Sequence, residues 1–123
     1  MTTAYWCVLA ATLLPYLAVV FAKAKPGFDN SAPRPWLEQL SGWRRRAYWA
    51  HQNGFEAFPP FAAAVIIAHL AQAPQQRIDL LAVVFVLARL VYIALYIADK
   101  ASLRSLAWSV GMLCVFGLFV ISA

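Results

Sequence analysis

The chain has 123 residues, of which 63% are hydrophobic and only 12% are charged. Soluble domains contain roughly 45–50% apolar residues, and a soluble domain of this length has too little interior to bury such an excess. We therefore expect much of the apolar surface to face lipid. The net charge is +5, and six of the ten basic residues lie between positions 23 and 46. Clustering in one short segment indicates membrane topology and argues against a nucleic-acid-binding face.

Four mainly apolar segments have about the length of a membrane crossing, roughly 20 residues for a hydrocarbon core of ~30 Å. No charged side chain precedes the first segment, and Lys23 and Lys25 follow it. This order is the reverse of a signal peptide, so we interpret the segment as a retained helix. The fold class predicted is an all-α membrane protein, a four-transmembrane-helix bundle in a single domain of residues 1–123, with helices at about 4–22, 42–71, 77–97 and 103–122.

The longest polar segment, residues 23–43, contains three prolines, which favour irregular backbone. Trp36 and Trp43 lie in it at roughly helical spacing with two leucines. The segment is therefore either an ordinary loop with tryptophan anchors or a loop with one helical turn at the membrane interface. Its positive charge, and that of the third connection near Lys100 and Arg104, predicts that these two loops face the cytoplasm and that both termini face the other side.

Ionisable side chains inside the apolar segments are the candidates for function, because each costs about 2.5–3.5 kcal/mol at the centre of a bilayer. Helical spacing places them in stripes on neighbouring helices. These side chains are Arg46, Asn53 and Glu56 on the second helix, Arg89, Tyr92 and Tyr96 on the third, and Arg104 at the start of the fourth. We predict that they line one polar pocket at the cytoplasmic end. His51 and Gln52 fall off the stripe, and we interpret His51 and His69 as packed or interfacial residues.

This set of side chains suits a small ligand that carries carboxylates and an amino group. Arginines bind carboxylates bidentately, and Glu56 can accept hydrogen bonds from an amino group. The alternative is that Glu56 pairs with Arg89 or Arg46 and only ties helices together. The sequence shows no paired acid and base, no serine with catalytic partners and no Cys/His spacing for a metal. We therefore predict no metal and a nucleophile that arrives with a ligand.

Residues 46–59 (RAYWAHQNGFEAFP) resemble the signature of the MAPEG family, the membrane-associated proteins in eicosanoid and glutathione metabolism. Two further blocks follow in the same order. Residues 88–96 resemble the Arg-x-x-Tyr-x-x-x-Tyr of the family's third helix, and Leu103-Arg104 resembles the Leu-Arg that opens the fourth. The resemblance, greatest to bacterial members, implies a homotrimer of four-helix bundles in the bacterial inner membrane, with glutathione bound as cosubstrate between subunits.

The resemblance also implies roles by matched position: Arg104 activates the glutathione thiol, and glutathione is contacted by Arg46, Asn53, Glu56, Arg89, Tyr92 and Tyr96. The thiolate would attack lipophilic electrophiles or lipid hydroperoxides, as a detoxifying transferase or peroxidase. Trp49 stands where some members have arginine, and Ala57 where some have tyrosine. The connection from Tyr96 to Arg104 is one residue longer than in some members. Two alternatives stay open: a non-catalytic lipid-binding member of the family, and a proton-coupled transporter that uses Glu56.

Overall fold

The computed structural model describes all 123 residues. They form five helices and no strand: α1 (Thr3–Lys23), α2 (Pro33–Glu38), α3 (Gly42–Leu70), α4 (Gln75–Ile97) and α5 (Ala101–Ser122). The all-α fold class is thereby confirmed. The bounds of the four long helices lie within two residues of those expected from the sequence.

The segment between α1 and α3 contains the short helix α2, so the alternative with a helical turn is the correct one. Pro33 is its first residue, a position that suits proline because φ is already fixed and the missing N–H has no partner to lose. Trp36 packs edge-on against Phe28, with ring centroids 5.0 Å apart. Leu37 is buried under the end of α1 and the start of α3. The location of α2 at a membrane interface stays a prediction.

Three helices, α1, α4 and α5, are long and apolar enough to cross a membrane. Helix α3 is the longest, with 29 residues, or about 43 Å at 1.5 Å per residue. Its first half carries the arginines and polar residues described above, which lower its mean hydropathy. Large apolar side chains remain exposed on the outer faces, for example Val120 at 73% and Leu113 at 66%. These features indicate an integral membrane protein, and the crossing by α3 stays a prediction.

The bundle interior is built largely from small residues. Helix α1 packs along α3, α5 packs along α4, and α4 also contacts α1 and α3. Ala64, Ala68 and Ala82 are fully buried at these contacts. Phe61 and Phe85 fill the remaining space, with their rings stacked at 3.8 Å between centroids. Small residues allow helices to approach closely without a large apolar driving force, which is the usual solution inside a membrane.

Helices α1 and α3 meet at Pro15, in the middle of α1. The Nδ1 of His51 lies 2.6 Å from the Pro15 carbonyl oxygen, and it must be the donor because a carbonyl only accepts. Gly54 lies against the proline ring, since a Cβ added there would come within 2.7 Å of Pro15 Cγ. Gly54 is thus required for the close approach of the two helices. The interpretation of His51 as a packed residue is confirmed.

The N-terminus of α1 is capped by a side chain from α4. Asp79 Oδ1 accepts a hydrogen bond from the Ala4 N–H at 2.8 Å and another from Gln75 Nε2 at 2.9 Å. The first N–H groups of a helix have no acceptor within the helix, so Asp79 satisfies a donor that otherwise lacks one. Close by, the His69 ring stacks on Tyr5 at 4.0 Å between centroids. His69 is therefore packed, as expected from the sequence.

We expect Asp79→Ala to destabilise the protein by about 1 kcal/mol, the usual effect of losing a helix cap. In thermal unfolding of the detergent-solubilised protein this should appear as a Tm lower by a few degrees. Glu38→Ala is the matched control, because Glu38 is an exposed carboxylate at the end of α2. Equal unfolding temperatures for the two variants contradict a capping role for Asp79.

Candidate functional site

A polar cleft opens between α3, α4 and α5. One part, with a volume of about 390 Å³, is lined by Trp49, Gln52, Asn53, Glu56, Tyr92 and Tyr96. The other, of about 440 Å³, is lined by Asn53, Tyr92, Tyr96, Arg104, Ser105, Trp108 and Ser109. The two parts share an asparagine and two tyrosines and so adjoin. A larger cavity of about 540 Å³ between α4 and α5 is lined only by apolar residues, and it offers no group that could orient a polar ligand.

The cleft is assembled by helical spacing together with one tight turn. Tyr92 and Tyr96 are one turn apart on α4 and therefore lie on the same face. Asp99, in the turn after α4, has φ of 60°, a left-handed conformation that aspartate tolerates better than most residues. This turn brings the first turn of α5 beside the last turn of α4. As a result the Cζ of Arg104 lies 4.4 Å from the centroid of the Tyr96 ring, a cation–π contact.

Asn53 and Glu56 form the other wall of the cleft. Asn53 Nδ2 donates a hydrogen bond to Glu56 Oε2 at 2.9 Å. Asn53 Oδ1 is buried and has no hydrogen-bond partner. A buried acceptor without a donor is costly, so this oxygen still lacks an N–H or O–H partner. The Glu56 side chain is bonded to an amide rather than to an arginine, which leaves its charge free for a ligand.

Arg46 lies beside the cleft and caps α4. Its Nε and Nη2 atoms donate to the Ile97 carbonyl oxygen at 3.1 and 3.0 Å. A cation at the C-terminal end of a helix is favourable because the last carbonyls lack partners and carry partial negative charge. The sequence stripe thus placed Arg46 at the correct end of the bundle. It gave no indication that part of the guanidinium is already occupied.

Arg89 lies behind the cleft and is 4% exposed. Its Cζ is 4.1 Å from the centroid of the Tyr92 ring, and its Nη2 is buried without a hydrogen-bond partner. A small cavity of about 10 Å³ separates it from Pro15 and Gly54. Neither Arg46 nor Arg89 forms the helix-tying pair with Glu56 that the sequence left open as an alternative. Arg46 is bonded to a backbone carbonyl and Arg89 packs on a tyrosine ring.

The structure therefore brings five of the seven predicted residues into the lining of one cleft: Asn53, Glu56, Tyr92, Tyr96 and Arg104. Sequence reasoning was wrong to set Gln52 aside, since it lines the cleft next to Asn53. It also missed the polar face of α5, formed by Ser105, Trp108 and Ser109. Trp108 follows Arg104 by four residues and Ser109 follows Ser105 by four, and this helical spacing was the available signal.

Residues 3–123 match the family model described as the MAPEG family, which is essentially the whole chain. The chain belongs to the MAPEG family. The resemblance inferred from three short blocks of sequence is thereby confirmed. Comparison with curated proteins gives no match, and comparison with solved structures gives none. The family includes glutathione transferases and peroxidases.

In this MAPEG protein the cleft combines opposite charges with hydrogen-bonding groups. Arg104 provides a cation at one end and Glu56 an anion at the other, and tyrosine hydroxyls, amides and serines lie between them. The two cysteines, Cys7 and Cys114, are buried and free and do not line the cleft. No three His, Cys, Asp or Glu side chains are grouped as metal ligands. The cleft therefore suits a zwitterionic ligand of peptide size.

Proposed function

We propose that this MAPEG protein is a membrane enzyme that uses glutathione as cosubstrate, as a transferase or peroxidase for lipophilic electrophiles or lipid hydroperoxides. The observation that carries the proposal is the placement of Arg104 and Glu56 in one cleft, with the unpartnered Asn53 Oδ1 between them. Glutathione has a thiol, an amino group, two carboxylates and amide N–H groups. Each has a complementary group among the side chains in or beside the cleft.

Arg104 would stabilise the thiolate. A thiol with a pKa near 8.5 is only a few per cent ionised at neutral pH, and a guanidinium close to the sulfur favours the anion. Lowering the thiol pKa by two units takes about 2.7 kcal/mol. Arg104 is half-buried and held over the Tyr96 ring, so its charge is less screened than at an open surface. The partial burial and the charge of Arg104 support this proposed role.

The thiolate would then react in one of two ways. As a transferase, its sulfur forms a bond to an electrophilic carbon, and the leaving group departs with the electron pair. As a peroxidase, the sulfur attacks the terminal oxygen of a hydroperoxide, which releases the lipid alcohol after protonation and leaves a glutathione sulfenic acid. A second glutathione thiol converts this acid to the disulfide and water.

The remaining predicted residues would hold the tripeptide. Glu56 would accept hydrogen bonds from the amino group, and Asn53 Oδ1 would accept one from an N–H of the ligand. Tyr92 and Tyr96 would donate their hydroxyls to a carboxylate. We propose that Arg46, which lies beside the cleft, and Arg89, which lies behind it, also bind carboxylates. The unpartnered Nη2 of Arg89 supports this role.

The same proposal includes an assembly and a location. Trp49, Gln52 and Glu56 are exposed on one side of the cleft, which supports a site that a second copy of the chain completes. We propose a homotrimer of single-domain subunits with four membrane crossings. We also propose a bacterial inner-membrane location, with the cleft towards the cytoplasm and both termini on the other side.

The proposal is tested by titrating the purified protein with glutathione at near-neutral pH. We expect a saturable increase in ultraviolet thiolate absorbance, and turnover of a generic electrophile or a lipid hydroperoxide. S-methylglutathione is the matched control, because it has the same charges at neutral pH but no ionisable thiol. Absence of both signals with glutathione refutes the enzymatic proposal and favours a non-catalytic lipid-binding protein. Proton-coupled uptake into vesicles that is lost in Glu56→Gln identifies a transporter instead.

A further inference from the structure

The end of the bundle at which α1 finishes concentrates positive charge, and we call it the basic end. Lys23 ends α1, and Lys25 follows it in the connection to α2. Arg44 approaches from the start of α3, where its Nη2 donates to the Ala24 carbonyl oxygen at 3.1 Å. Arg44 Nε is buried and has no hydrogen-bond partner. These cations line no part of the polar cleft, so the proposed thiol chemistry does not account for them.

An apolar groove with a volume of about 390 Å³ lies between α1 and α4. We call it the α1–α4 groove, and its lining residues are Leu17, Phe21, Leu90, Ile93, Ala94 and Ile97. It runs along α4 for about 10 Å, from the rise of 1.5 Å per residue over seven residues. All of its side chains are apolar and most are exposed to the surroundings of the bundle. In a membrane such a groove faces lipid chains.

The groove ends at the basic end. Phe21 lines the groove and is followed two residues later by Lys23, in the same last turn of α1. On the α4 side, Ile97 is the last lining residue, and it packs against the cluster of residues in which α1, α2 and α3 meet. The guanidinium of Arg44, with its unpartnered Nε, lies at this junction beside the backbone of Ala24. The apolar groove and the cluster of cations therefore lie at the same end of the bundle.

We propose that the α1–α4 groove binds one acyl chain of an anionic glycerophospholipid, whose phosphate is held at the basic end by Lys23, Lys25 and Arg44. The groove accounts for the choice of a lipid, since a free phosphate gains nothing from an apolar wall. The cations account for the anionic headgroup, because basic residues next to membrane helices attract anionic lipids. Trp36 and Trp43 are near this end in the sequence and suit the depth of lipid headgroups.

The test offers the protein an equal mixture of phosphatidylglycerol and phosphatidylcholine in detergent. Native mass spectrometry then counts the molecules of each lipid that stay bound. We expect phosphatidylglycerol to be retained preferentially and to raise the Tm by several degrees. The double variant Lys23→Gln/Arg44→Gln should weaken its retention about 10-fold. Ala94→Trp should weaken it similarly by filling the groove. Arg77→Gln is the matched control, since it removes an exposed cation from the first turn of α4, at the opposite end of the bundle.

Four results overturn the proposal. If the two lipids are retained equally, the site does not select an anionic lipid. The same follows if neither the variant at the basic end nor the variant in the groove changes the retention of phosphatidylglycerol. If glycerol phosphate raises the Tm as much as phosphatidylglycerol does, the basic end binds a free anion. A change in the number of subunits in Ala94→Trp, without loss of lipid, shows that a second copy covers the groove. The glutathione thiolate signal, measured on the same variants, reports separately on the polar cleft and on the integrity of the fold.

Discussion

Arg104→Ala should remove most of the thiolate of bound glutathione at neutral pH. If Arg104 lowers the thiol pKa by two units from about 8.5, the thiolate fraction at pH 7 is roughly 25-fold lower in the variant than in the wild type. At lower pH, where the thiol is mostly protonated in both proteins, the fraction is about 100-fold lower. A less acidic thiol is also a stronger nucleophile, with a Brønsted coefficient of about 0.4–0.5. Turnover should therefore fall less than the thiolate signal does, by about 10-fold at low pH.

The pH dependence of the thiolate absorbance shows in which direction Arg104 shifts the thiol pKa. A nearby cation depresses the thiol pKa, so the wild-type thiolate should persist as the pH is lowered to below neutral. In Arg104→Ala the signal should appear only as the pH rises towards about 8.5, the ordinary value for a thiol. Arg104→Lys should recover part of the shift, because it restores a charge without the planar guanidinium. A pH profile identical to that of the wild type in Arg104→Ala contradicts the assignment.

Arg77→Ala is the control for the loss of positive charge. Arg77 is exposed in the first turn of α4, away from the cleft at the other end of that helix. Its removal changes the net charge by the same amount as Arg104→Ala but should leave the thiolate absorbance unchanged. A similar loss in both variants attributes the effect to overall charge rather than to the cation in the cleft.

Glu56→Gln should raise the Kd for glutathione about 10- to 100-fold, with a smaller effect on the thiolate pKa. Hydrogen bonds to charged groups contribute about 1.5–3 kcal/mol, and each 1.4 kcal/mol is a factor of ten in affinity. Glu56 is exposed in the cleft and bonded only to Asn53, so the substitution should not unfold the protein. Isothermal titration with glutathione measures the change.

A ligand without the amino group makes this second test specific. Glutathione analogues that lack the amino group of the γ-glutamyl residue should bind equally to the wild type and to Glu56→Gln, and more weakly than glutathione binds to the wild type. The difference between the two ligands isolates the pairwise interaction, as in a double-mutant cycle. An equal loss of affinity for both ligands in Glu56→Gln excludes the amino group as the partner of Glu56.

Much of the fold follows from the sequence because apolar length and turn residues are local signals. The long apolar runs and the prolines and glycines between them place four long helices to within two residues. The one element left open was α2, because six residues are too few for hydrophobic periodicity to decide. It is stabilised by packing, with Leu37 buried beneath the ends of α1 and α3.

The candidate site was predictable as far as helical spacing reaches. A step of four residues puts Tyr92 and Tyr96 on one face whatever the neighbouring helices do. The sequence also identified both ends of the cleft, in Glu56 and Arg104. Helical spacing does not specify the angle at which one helix crosses another. This angle decides how wide a strip of each helix remains exposed. Gln52 enters the lining for this reason, although it lies off the stripe defined by Asn53.

By itself the sequence determined that this is an all-helical integral membrane protein of the MAPEG family, and which helix faces carry its polar residues. Only the tertiary structure decided what each polar atom binds. Arg46 is bonded to the Ile97 carbonyl, Arg89 is buried behind Tyr92, and Asp79 caps a helix 75 residues away in the chain. The physical reason is that hydrophobic patterning is a property of each helix alone. The partner of a polar atom depends on distances between helices, and these are set by the packing of small residues such as Gly54 against Pro15.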